Sequence, residues 1–215
     1  ESGVHVAFNF LDMGSDSRHA AQRVAEELRE REVKVHFSAC DVRHSEQVDA
    51  FVSEAVEELG GLHFLVNNAG IGRDRALWRM SDEAWEAVLD TNLKGAFYSM
   101  RAAAPVLRSQ EWGKIVNISS VHGIRGEFGL ANYVSSKAGL IGLTRSAAVD
   151  LGPKNINVNA VAPGYIRTTQ LTEQVPAEIL DRAREKSVLG RLGDPQDVAH
   201  LVLFLCSEGA RHITG

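Results

Sequence analysis

The chain has 215 residues, 44% of them hydrophobic and 24% charged, which excludes a disordered or fibrous protein and fits one domain with a full core. With 23 Lys and Arg against 28 Asp and Glu the net charge is -5, so no basic field exists for nucleic acid or a membrane surface, and neither is expected as a partner. No apolar run reaches the roughly 18 residues of a membrane span, no leader pattern opens the chain, and Cys40 and Cys206 lie far apart outside any CxxC spacing; a soluble cytoplasmic protein with reduced, buried thiols is expected.

Short runs rich in Val, Ile and Phe alternate with longer segments of helical period, the pattern of βαβ units, which predicts an α/β fold with a parallel sheet covered on both faces. The first strand is predicted at Val4 to Phe10, then a helix from about Asp16 to Arg31, with Ser15 or Ser17 as N-cap and Ala20, Ala21, Val24, Ala25 and Leu28 as its inner stripe. Lys34 to Ala39 reads as the next strand. A helix opens at Ser45, keeps a 3.6 period through Val48, Phe51, Val52, Ala55, Val56 and Leu59, and closes at Gly60-Gly61. Leu62 to Asn67 follows as a buried strand. Ser81 starts a helical region to Arg108, kinked near Thr91 to Gly95. Behind the strand Lys114 to Ile118 comes a long loop, Ser119 to Ala131, made flexible by Gly123, Gly126 and Gly129. A helix from about Asn132 to Leu151 precedes the strand Asn157 to Val161. Asp194-Pro195 opens the last helix, to about Cys206, with Asp194 as N-cap and Asp197 at the positive end of the dipole.

Tyr133 and Lys137 stand four residues apart, with Ser120 thirteen residues upstream of the tyrosine. On a helix this spacing puts phenol and ammonium on one face, roughly 5 to 6 Å apart at Cβ. A cation so close lowers a phenol from its usual pKa of about 10 towards neutrality, where it can serve as an acid or base. Alone, such a pair is most often a surface contact. Ser120, Asn92, Asp41, Asn67-Asn68-Ala69-Gly70 and Pro163-Gly164 likewise each have an everyday reading as cap or turn residues.

Jointly, Asp41-Val42, Asn67-Asn68-Ala69-Gly70, Asn92, Ser120, Tyr133 with Lys137, and Pro163-Gly164-Tyr165-Ile166-Arg167-Thr168 stand in an order and spacing that resembles the short-chain dehydrogenase/reductase family over essentially the whole chain. The resemblance implies a single Rossmann-like, doubly wound domain over residues 1–215 that uses a nicotinamide dinucleotide. It implies that Tyr133 gives a proton and that Ser120 holds the substrate oxygen. Lys137 would stabilise the phenolate and bind the nicotinamide ribose, and Asn92 would hold a water linking Lys137 to solvent. For the cofactor it implies Asp41 at the adenine amino group and Val42 against the ring. Asn68, Ala69 and Gly70 would give the backbone close approach at a strand end, with Tyr133 and Lys137 at the ribose and Pro163, Gly164, Ile166 and Thr168 at the carboxamide. Asn67 is implied as support for the sheet, and no metal ligands are read.

Within the family, Asn67 to Asp74, Ser119 to Gly123, Asn132 to Thr144 and Arg191 to Pro195 resemble the 3-oxoacyl-thioester reductases. That implies a substrate linked to acyl carrier protein or CoA. A dehydrogenase of another small alcohol, sugar or steroid is the alternative, and a non-catalytic dinucleotide-binding or assembly protein is the alternative of another class. NADP(H) is favoured, with NAD(H) open, because Asn9 stands where NAD-preferring members place an acid, although Asp12 is close and Arg18 is the nearest base. The resemblance also implies a substrate lid at Leu171 to Arg191, Lys154 as a basic residue for a carrier, and a homotetramer through the helices Gly95 to Arg108 and Tyr133 to Leu151. The family's opening strand with its Gly-rich turn, and its last strand, have no counterpart in these residues. The expectation is a longer protein, or weak dinucleotide binding and an open seam in the sheet.

Overall fold

A computed structural model describes residues 3–167 and 175–215. Its strands are all parallel and lie in two sheets: β1 (Val6–Phe10) pairs with β2 (Val35–Ala39), and β3 (Phe64–Asn67), β4 (Gly113–Ile118) and β5 (Ile156–Val161) pair in that order. Among the described residues, one edge of β1 and one edge of β3 have no paired strand. The helices are α1 (Ser15–Arg29), α2 (Ser45–Leu59), α3 (Asp82–Leu89), α4 (Gly95–Gln110), α5 (Ala131–Leu151), α6 (Ala177–Lys186) and α7 (Pro195–Cys206).

The helices cover both faces because β4 is apolar on both. Ile115 and Val116 are neighbours, so they point to opposite faces, and both are fully buried. Ile115 packs with Met100, Ala103 and Leu107 of α4 and with Ala148 and Leu151 of α5. Val116 packs with Val161 and with Leu205 of α7. Burial of each such side chain stabilises the fold by about 1.5–3 kcal/mol. The two sheets are joined through α2, whose Val48 and Val52 meet Cys40 on one side and Leu62, Tyr98 and Ala102 on the other.

A polar column crosses this core. The parallel register sets Asn67 directly opposite Asn117, whose carbonyl oxygen accepts from Asn67 Nδ2 at 2.8 Å. Asn117 Nδ2 donates to Thr144 Oγ1 at 2.9 Å, and that hydroxyl donates on to the Leu140 carbonyl at 2.7 Å. Asn67 is thus a sheet support that ties β3 to β4 and, through Asn117, to α5.

Several expectations need correction. Neither Ser15 nor Ser17 caps α1: the N-cap is Gly14, and Ser15 is already helical. Gly14 has φ 106, a conformation open to glycine, and its N–H is taken by Asp12 Oδ1. Val24 is exposed, and Ala21 and Ala25 carry the buried stripe instead. The third strand is only half-buried, with Val66 exposed, because its outer edge has no covering strand among the described residues. Gly123 packs tightly rather than loosening its loop: a methyl there would sit 2.8 Å from the Lys137 carbonyl carbon and oxygen. Cys40 and Cys206 are both free thiols, but only Cys40 is fully buried. The end of α2 is as expected, with Gly60 at φ 81. At α7, Asp194 is the N-cap, and Asp197 Oδ2 accepts from its N–H at 2.9 Å.

Replacing Asn117 by valine strands the Asn67 amide in the sheet. We expect a loss of about 1–3 kcal/mol, read by urea denaturation as a lower midpoint at unchanged slope.

Candidate active site

The site forms where β4 ends against the first turns of α5. Ser120 follows β4 and opens the short helical turn Val121–Gly123, with its Oγ accepting from the His122 N–H at 3.1 Å. That bond uses a lone pair and leaves the hydroxyl proton free to donate. Tyr133 and Lys137 lie on one face of α5, with Lys137 Nζ 5.7 Å from the phenol ring centroid. Lys137 is 3% exposed, and its ammonium donates to the Ile118 carbonyl at 2.7 Å. Ser119, next to Ser120, donates from its Oγ to the Lys137 carbonyl at 2.9 Å. Strand end and helix are therefore bonded in both directions.

Proton states follow from burial. The Lys137 ammonium loses hydration and has no carboxylate partner among the described residues, so its pKa falls to about 8. Burial pushes the Tyr133 phenol up, with a hydrogen bond from Ser120 pulling the other way. The direction is opposite to the lowering expected of the Tyr133–Lys137 pair, with loss of water as the largest cause, and the phenol keeps its proton at neutral pH.

The kink expected near Thr91 is a π-helical turn, Asp90–Lys94, between α3 and α4. It turns Asn92 into the interior at 1% exposure. There Asn92 Oδ1 accepts from the Ile71 N–H at 2.8 Å, and Nδ2 donates to the Ile71 carbonyl and to Ser136 Oγ. The side chain is thus committed to clamping the strand-end loop onto α5. Asn132, also fully buried, does the same further along the loop, donating to the carbonyls of Arg73 and Ala84.

The residues implied for the cofactor lie at the carboxyl ends of the strands, where parallel sheets bind ligands. Asn68 and Ala69 are exposed beyond β3. A methyl at Gly70 would lie 3.4 Å from both Asn92 Oδ1 and Lys137 Nζ. Gly70 therefore keeps the approach to the ammonium open, and two of the three Lys137 donors remain after Ile118 takes one. These features fit a dinucleotide whose ribose hydroxyls face Lys137. Pro163 accepts from the Val121 N–H at 2.9 Å, tying the segment after β5 to the Ser120 turn. Ile166 bridges to Gly193. Val42 packs on Gly95, while Asp41 is held by Arg43, whose guanidinium keeps its carboxyl below the usual range. Thr168 lies outside the described residues, as does the first part of the implied lid.

Beside these groups opens a cleft of about 1810 Å³, lined by Gly70, Asp74, Glu127, Gly164, Tyr165 and Ile166 among others. Tyr133, Ser120 and Lys137 are not in its lining. They adjoin it across Gly70 and across Tyr165, whose ring is separated from that of Tyr133 by His122. Ile179 of α6 and Leu189 also line the cleft and are exposed, as is Val188, so these apolar residues of the implied lid are not part of the core. Lys154 is paired with Glu111 at 2.6 Å, which spends the base expected for a carrier. Among the described residues no helix is long and apolar enough to cross a membrane, and no cluster of His, Cys, Asp or Glu could hold a metal ion. Sequence reasoning passed over Ser119, Ser136, Asn132 and His122. Ser136 was visible as a polar residue between Tyr133 and Lys137, and His122 as one two residues after Ser120.

Comparison with known proteins gives a consistent picture. A family profile described as "Enoyl-(Acyl carrier protein) reductase" matches residues 1–215. A curated protein of Staphylococcus aureus named 3-oxoacyl-(acyl-carrier-protein) reductase FabG is 42% identical over 215 residues, which is 100% of this chain and 85% of the relative. Its namesake in Aquifex aeolicus is 45% identical over 200 residues, covering 93% and 80% of the two chains. That of Thermotoga maritima is 44% identical over 182 residues, covering 85% and 74%. With a family profile matching from end to end and relatives this similar, the chain belongs to the short-chain dehydrogenase/reductase family.

Proposed function

We propose that the protein reduces 3-oxoacyl thioesters, carried by acyl carrier protein or CoA, to 3-hydroxyacyl thioesters with NADPH. One observation carries the reading: Ser120, whose hydroxyl is hydrogen-bonded to Tyr133, and a protonated Tyr133 converge at the end of β4, beside the buried ammonium of Lys137. Two neighbouring donors suit a carbonyl oxygen that becomes an alkoxide.

Ser120 and Tyr133 would orient the C3 carbonyl. The nicotinamide, when bound, supplies the hydride for C3. As charge grows on the oxygen, Tyr133 passes its proton from Oη to it, and Lys137 stabilises the phenolate left behind. Asn92 and Asn132 hold the loop after β3 against α5, which keeps Gly70 and Lys137 in register. Reduction of an enoyl group, which the matched profile's description names, places its proton on carbon and makes less use of paired donors at an oxygen. The names of the relatives favour the 3-oxo substrate as well.

NADPH is favoured over NADH by the end of β1. Asn9 is neutral there and donates to the Cys40 carbonyl. The nearby Asp12 is already held by Nε and Nη2 of the Arg18 guanidinium, so it offers a 2′-phosphate little repulsion. Exposed Phe97 on α4 and Val149 on α5 support the homotetramer implied by the resemblance.

The intact protein is expected to oxidise NADPH with acetoacetyl-CoA and not with crotonyl-CoA, and Tyr133→Phe to lower kcat by about 10²- to 10⁴-fold. Absence of turnover on any 3-oxoacyl thioester would remove the function, and full activity of the phenylalanine variant would remove the mechanism. The pH profile gives a separate check. Lys137 loses its charge as pH rises through about 8, while Tyr133, raised above its usual range, is still protonated. Reductive kcat/KM is therefore expected to be level below that pH and to fall above it. In Lys137→Arg, the fall should move to higher pH.

A further inference from the structure

His122 adjoins the site and satisfies none of its own hydrogen-bonding need at Nε2. The residue is 6% exposed, and Nε2 is enclosed without a partner among the described residues. Its ring stands edge-on to Tyr133 at 6.4 Å and to Tyr165 at 5.6 Å between centroids. An enclosed polar atom without a partner costs free energy that a leucine of similar size would avoid.

The cover over Nε2 belongs to the cleft wall. Glu127 Oε2 is 3.9 Å away, too far for a hydrogen bond, and Asp74 and Arg125 act on the ring through space. Asp74, Arg125, Glu127 and Tyr165 all line the cleft. The Glu127 side chain is 40% exposed, so it can swing out into solvent at little cost. Burial favours the neutral imidazole, which has one N–H to donate. The main chain of His122 already holds Ser120 Oγ, so the imidazole sits two residues from the group proposed to take the C3 oxygen.

We propose that His122 is a specificity-determining residue: Glu127 moves aside, and Nε2–H donates to the thioester carbonyl while the C3 oxygen rests on Ser120 and Tyr133. This rests on the function proposed above and gives its preference for substrates with two carbonyls in 1,3-relation a residue. A plain ketone leaves Nε2 unpaired, and a site built to hydrogen-bond a group rejects analogues that lack it.

The test compares acetoacetyl-CoA kinetics with an imidazole signal. His122→Leu is expected to raise KM about tenfold with kcat changed less than threefold, and His122→Gln, which keeps a donor, to recover most of the loss. In the wild-type protein with NADP+, the His122 ring nitrogen signal of ¹⁵N-histidine-labelled protein, assigned by its absence in His122→Leu, should shift on adding 3-hydroxybutyryl-CoA. An unchanged KM in His122→Leu, or a loss confined to kcat, overturns the inference. So does a ring signal indifferent to the thioester. Should the wild type turn over no 3-oxoacyl thioester, the functional reading falls, and the ring signal still decides whether His122 binds one.

Discussion

The site depends on how closely α5 lies against the carboxyl end of β4. At Gly123 a single added methyl would meet Lys137 main-chain atoms at 2.8 Å and Ser119 Oγ at 2.9 Å. Main chain cannot yield as a side-chain tip can, so overpacking here would cost about 1–3 kcal/mol. The contact is locked by opposed hydrogen bonds, Ser119 Oγ to the Lys137 carbonyl and Lys137 Nζ to the Ile118 carbonyl. Given that lock, Ser120 and Tyr133 have little freedom to separate. The Asn67, Asn117, Thr144 column one layer deeper fixes the same helix to the same strand, so sheet register and site geometry are set together.

Burial then assigns the proton states. Without water, an unpaired ammonium is disfavoured and a phenolate more so. Lys137 consequently titrates near 8, and Tyr133 stays a neutral acid. The proposed reduction needs that division: the acid must arrive protonated, and the cation must be present when the phenolate forms. The carbonyl of Ile118 offsets part of the cost of burying the ammonium.

Loop positions are held by asparagines rather than by apolar packing. Asn92 binds both the N–H and the carbonyl of Ile71, and Asn132 reaches two further carbonyls. Each amide satisfies main-chain groups that would otherwise be stranded beside the core. The π-helical turn makes this possible at Asn92, since one extra residue per turn rotates the amide inward.

Alternation of apolar runs with helical periods determined the α/β architecture, and the approximate bounds of β1, β2, α2, β4, β5 and α7 followed from periods and caps that are local properties. The helical spacing of Tyr133 and Lys137 likewise placed them on one face. Other features were decided only in three dimensions. The cap of α1 moved to Gly14 because Asp12 reached its amide. Gly123 changed from hinge to packing contact because α5 passes over it, and the phenol rose in pKa because neighbours distant in sequence took away its water. His122 could be seen in the sequence but not understood, since its unpartnered nitrogen appears only when Tyr133, Tyr165 and Glu127 are brought around it. Periodicity and capping are written in neighbouring residues, whereas burial and close approach belong to segments far apart in the chain, so the sequence named the proposed reacting groups and the tertiary structure set their charge, their partners and what covers them.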